Sequence, residues 1–79
     1  MYQLYIDKKK LILKVKPLEK HFLGWIDETK FTEDAILSYN ENYKMSKSRK
    51  ALVQCAREIK ALWLAEAMLV VQKIEEIKI

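Results

Sequence analysis

His21 and Cys55 are the single histidine and the single cysteine of this chain, and they are the first places to look for acid–base, nucleophilic or metal chemistry. A nucleophile needs a base within hydrogen-bond reach, and a structural zinc site needs a cluster of Cys and His ligands. One imidazole and one thiol supply neither. His21, between Lys20 and Phe22, reads as a half-buried surface residue. Cys55 has Arg57 and Lys60 nearby but lies mid-helix among apolar neighbours, and it reads as a packed, inert thiol. No two carboxylates fall in an apolar pocket pattern, and the one glycine, Gly24, makes no phosphate-cradling loop. The expectation is a protein that is not an enzyme and holds no cofactor and no metal.

The charged residues carry more information, because they come in blocks. The net charge of +4 divides into +4 over residues 1–22, −4 over 23–43, +5 over 44–60 and −1 over 61–79. Lys8, Lys9 and Lys10 form one cationic cluster, and Lys44, Lys47, Arg49 and Lys50 form a second. Cations spaced in this way suit phosphate contacts, so a nucleic acid or another polyanion is one expected partner. The second cluster is also odd in its own right. A helix start presents free N–H groups and a positive dipole end, and cations there are disfavoured by up to about 1 kcal/mol. An anion docked beside Ser46 and Ser48 would resolve this. So would a helix that begins further upstream, or complementary charge from another chain.

Lys44-Met45-Ser46-Lys47-Ser48 resembles, letter for letter, the KMSKS signature of class I aminoacyl-tRNA synthetases, and His21-Phe22-Leu23-Gly24 is similar to a degraded form of their HIGH signature. In that family both motifs bind ATP phosphates across a parallel, doubly wound catalytic domain. The resemblance covers nine of 79 residues, and the rest of the chain leaves no room for the βαβ units that would bring the two motifs together. The synthetase fold and activity are therefore not carried over to this chain.

The elements that must position these residues are legible from periodicity. Tyr2, Leu4 and Ile6 alternate with Gln3, Tyr5 and Asp7, and Leu11, Leu13 and Val15 with Ile12, Lys14 and Lys16, on the two sides of Asp7-Lys8-Lys9-Lys10, which predicts a hairpin with a three- or four-residue connection. Pro17 ends the second strand. Leu18 to Ile26 reads two ways: a short helix with Pro17 at its first position and Leu18, Phe22, Trp25 and Ile26 on one face, or a third strand over His21 to Ile26. Thr32 as N-cap, Glu33 and Asp34 in a first turn, and Ile36, Tyr39 and Tyr43 as a stripe predict an amphipathic helix that ends before Ser46. Ser46 then caps one long helix to Ile77, without Gly or Pro, whose Leu52, Ala56, Ile59, Trp63, Ala67, Val70, Ile74 and Ile77 recur at spacings of three and four. At 1.5 Å per residue it would be roughly 48 Å long, whereas a globule of this chain length is only about 30 Å across.

The fold class is therefore α+β: a single domain over residues 1–79, with an N-terminal β-hairpin, extended to three strands if residues 18–26 are a strand, packed on a short helix and one long C-terminal helix. A helix that outruns its own domain implies a partner, and a second copy fits the reversed end charges. Ile59, Leu62, Trp63 and Val70 would form a dimer interface, with Glu75 and Glu76 set against Arg49 and Lys50 of an antiparallel partner and the two-fold axis at Leu62. Glu66 is the one charge between Ala61 and Val71, and it reaches solvent or pairs across an interface. The N-terminus lacks the apolar core of a signal peptide and Ala61 to Val71 is too short to span a bilayer, so a soluble, cytoplasmic protein with no membrane association is expected. Two functions fit. One is a small nucleic-acid-binding or regulatory factor acting as a homodimer; the other is an interaction module or inhibitor that presents its helix surface or free sheet edge to a protein partner.

Overall fold

The computed structural model describes residues 1–24 and 31–79. The N-terminal hairpin forms as its alternation demands, with β1 over Tyr2–Asp7 and β2 over Ile12–Pro17 in an antiparallel register that sets Leu4 opposite Val15 and Ile6 opposite Leu13. Lys8 to Leu11 make the connection. Asp7 Oδ1 accepts the Lys10 N–H at 3.1 Å, and Leu11 closes the turn with φ at 57°, a conformation usually left to glycine.

The largest departure from the sequence reading lies between residues 32 and 46. No amphipathic helix forms there. The Thr32 carbonyl accepts the Ala35 N–H in a turn, and the chain continues as β3, Ile36–Ser38, and β4, Tyr43–Ser46. The reason lies in the asparagines, whose short polar side chains compete with helical backbone bonds. Asn40 Oδ1 accepts from the N–H groups of Asn42 and Tyr43 at 2.8 and 3.0 Å, which turns the chain back on itself. Asn42 then ties this turn to β1, donating from Nδ2 to the Ile6 carbonyl at 2.9 Å, while its own carbonyl accepts the Ile6 N–H at 2.8 Å. An isolated hairpin is barely stable in water. Here β4 occupies the open edge of β1, with Tyr2 opposite Ser46 and Tyr5 opposite Tyr43, giving one antiparallel sheet of order β2-β1-β4-β3.

The two faces of the sheet are covered differently. Leu4, Val15 and Leu13 share the face on which α2, Arg49–Glu75, lies, and Leu52 of α2 is fully buried there. On the other face α1, Lys20–Leu23, is a four-residue helix. Its Phe22 ring sits 5.2 Å from Tyr43 and 5.3 Å from Tyr39. Gln3, fully buried, fixes the approach of this segment: its Oε1 accepts the Glu19 N–H at 3.0 Å. Pro17 thus ends β2 rather than opening a helix, and the chain is helical, not extended, over 20–23. The expectations for Trp25 and Ile26 lie outside the described residues.

The long helix is present, but Ser48 rather than Ser46 caps it. Ser48 Oγ accepts the Ala51 N–H at 3.1 Å, while Ser46 remains in β4, buried, and its Oγ accepts the Ser48 N–H at 3.0 Å. Twenty-seven residues give a rod of about 40 Å. The molecule is accordingly elongated, 59 × 21 × 16 Å with a radius of gyration of 16.3 Å, where a compact chain of this size would have about 12 Å.

Candidate interaction surface

Among the described residues, only the first half of α2 has a seat. Its predicted stripe starts with Leu52 buried and Ala56, Ile59 and Trp63 half-buried. Past Glu66 the same stripe is open, with Val70, Ile74 and Ile77 exposed by 57, 60 and 64%. The hairpin tip marks the change: Lys8 Nζ donates to Glu66 Oε2 at 2.6 Å. Glu66 therefore has an intrachain partner, one that no local sequence spacing could reveal because Lys8 is 58 positions away.

Beyond that point the helix is apolar on several sides. Leu62, Leu64, Met68, Leu69 and Val71 are all more than half exposed. Leu64, Ala67, Met68, Val71 and Glu75 line a shallow groove on the side of α2 away from Glu66. A soluble monomer rarely leaves so much contiguous apolar surface open, and a helix that is apolar all round is normally buried. Of the residues expected at a dimer interface, Leu62, Val70, Glu75 and Glu76 are exposed, whereas Ile59 and Trp63 are half-buried on the sheet side of the helix.

The two cationic clusters are not brought together. Lys8, Lys9 and Lys10 sit at the hairpin tip beside Glu66, while β4 delivers Lys47, Arg49 and Lys50 to the other end of the sheet. From Arg49 to Glu66 the helix rises about 26 Å. Lys44 is engaged within the sheet, its Nζ donating to Ser38 Oγ at 2.7 Å. At the helix start, Ser48, Arg49, Lys50, Gln54 and Arg57 line an open cleft that also includes Asp34. The KMSKS run is accounted for by local architecture: Met45 and Ser46 end an antiparallel strand with no exposed surface, and Ser48 caps α2. His21 is in α1 and Cys55 is a half-buried free thiol in α2.

Among the described residues, no group of three His, Cys, Asp or Glu side chains could hold a metal ion, and no helix is long and apolar enough to cross a membrane. Comparison with known proteins finds no match, whether among protein-family models, curated proteins or solved structures.

Proposed function

We propose that this chain is a non-enzymatic interaction module that works through the free second half of α2. The observation that carries the reading is the exposed apolar surface from Leu62 to Ile74 on a helix that continues past the sheet it is seated on. A surface of that kind stabilises an assembly by about 1.5 to 3 kcal/mol for each large aliphatic side chain it buries completely. A small domain is a natural candidate for such help, since the buried apolar side chains among the described residues are Leu4, Phe22, Met45 and Leu52. A reducing, cytoplasmic setting suits the free thiol of Cys55. Sedimentation of the full chain over the micromolar range tests the reading, with wild type compared against Leu64→Glu/Met68→Glu. Association of any stoichiometry that the double substitution abolishes is expected, with the NMR signals of Tyr5 and Tyr43 unmoved. Association that survives the substitution refutes the reading. So do amides of residues 67–75 that exchange as in an unfolded chain at every concentration.

A second reading, weak polyanion binding, is favoured by the open cleft at the helix start with its Arg49, Lys50 and Arg57. Separation of the two cationic clusters limits it to one end of the molecule. Replacing Lys47, Arg49 and Lys50 by Gln should then flatten the salt dependence of duplex binding by about one unit of log–log slope for each phosphate no longer neutralised. Absence of binding at low salt removes this reading.

A further inference from the structure

We infer that the partner of this module is a second copy of the same chain, paired antiparallel along one defined face of α2; the inference rests on the module reading above. The face is the one bearing Lys50, Gln54, Arg57, Ala61, Leu64, Met68, Val71 and Glu75, whose spacings alternate strictly between four and three. That alternation is the seam of a two-helix coil. It differs from the stripe of Leu52, Ala56, Ile59 and Trp63 that the sheet already uses. At about 100° per residue Glu66, which holds the hairpin tip through Lys8, falls on the opposite side of the helix from this seam. Among the described residues the sheet leaves this face open from Ala61 to Glu75, where the groove at Leu64, Met68 and Val71 lies, and at its start the cleft at Lys50, Gln54 and Arg57 is bordered by Asp34.

Charge selects both orientation and register. The seam is basic at its start, apolar in its middle and acidic at its end. A parallel pair in register would set Arg57 against Arg57 and Glu75 against Glu75 of its partner. An antiparallel pair with its axis level with Glu66 sets Arg57 opposite the partner's Glu75, Ala61 opposite the partner's Val71, and Leu64 opposite the partner's Met68. The two-fold symmetry repeats each pairing. Four apolar layers are then closed at both ends by an ion pair, small faces large in the Ala61 layer, and Ala65 and Ala67 flank the axis, where small side chains let the helices approach closely. Moving the axis to Leu62, as the pairing of Arg49 with Glu75 would require, instead sets Met68 level with the partner's Ala56, which belongs to the stripe the sheet already uses, and Val71 level with the partner's Val53. The sheets project from opposite ends and do not meet.

The test is a charge exchange in the full chain, read by sedimentation equilibrium at low ionic strength. Glu75→Arg and Arg57→Glu should each weaken the dimer about 2- to 30-fold, the range for losing two exposed ion pairs, and the double variant should return it to within about threefold of wild type. Added salt should shrink both effects. A monomeric mass at high micromolar concentration overturns the inference. So does a dimer indifferent to both single reversals, or a double variant no tighter than the singles. If the single reversals are silent but Leu64→Glu/Met68→Glu dissociates the dimer, this register falls while the module reading stands. If neither set of changes moves the association, both fall.

Discussion

Leu11 offers a test in which the sign of the effect, rather than its size, decides. It sits at φ 57° in the hairpin connection and the residue is 74% exposed. A left-handed conformation costs a residue with a β-carbon roughly 1 to 2 kcal/mol. Leu11→Ala keeps the β-carbon and that cost, and gives up the buried part of the side chain, worth about 0.5 kcal/mol. Leu11→Gly gives up the same burial and relieves the strain, but the unfolded chain gains freedom worth about 0.5 to 1 kcal/mol. The glycine variant should therefore be more stable than the alanine variant by about 0.5 to 1 kcal/mol, whereas at an ordinary strand or helix position the order is reversed by a similar amount. For a domain of this size 1 kcal/mol moves the melting temperature by about 4 to 8 °C, so thermal unfolding followed by circular dichroism, at matched protein concentration, resolves the two. An alanine variant that melts above the glycine variant refutes the reasoning. It would mean that Leu11 is held by packing and that the turn carries no strain.

Two further outcomes follow from individual hydrogen bonds. Ser48→Ala removes the acceptor of the Ala51 N–H and should destabilise the chain by about 1 kcal/mol, measured by denaturant unfolding, while Ser48→Asp should retain most of the stability; equal losses for both would contradict the cap. Asp7 is held below its ordinary value of 3.8, chiefly by the backbone N–H of Lys10 and then by the Tyr5 hydroxyl, which donates to its Oδ2 at 3.0 Å. A depressed carboxylate contributes stability above its unfolded pKa and loses it as pH falls through the folded value. Amide-exchange protection of Lys10 should accordingly fall as the solution is acidified below about 3.8, and Asp7→Asn should abolish that dependence; a protection profile flat with pH in the parent chain would refute it.

How much of this architecture can be read from the residues depends on the distance over which the deciding interaction acts. The hairpin of β1 and β2 and the body of α2 are legible because their patterns are local: alternation over six residues in one case, an unbroken period near 3.6 over twenty-seven in the other. The stretch Ile36 to Ser46 is not. Its caps, acids and apolar spacing are those of a helix, and what overrides them is an edge of β1 that residue 42 reaches across 36 positions of sequence. Ser46 and Ser48 illustrate the same limit on a smaller scale. Both are good caps by type, and the choice between them is made by Tyr2, which pairs with Ser46 and draws it into the sheet.

The interaction surface shows how such an override reaches function. The most regular apolar stripe of α2, from Leu52 to Ile74, is the natural choice for a dimer seam when the helix is considered alone. A sheet is already seated on its first half, so Ile59 and Trp63 face the chain's own strands and a partner helix cannot follow that stripe along its length. What remains open among the described residues is the neighbouring face, less apolar at its start because Lys50 and Arg57 stand there. That mixture makes it a poor internal core and a selective interface, since only a chain with acids at the complementary positions can cover it. The second copy of α2, reversed, is such a chain. In the proposed pairing its Glu75 meets Arg57 at the level where apolar layers give way to charge, and an unrelated apolar helix would leave that arginine desolvated and unpaired, at a cost that grows with its burial.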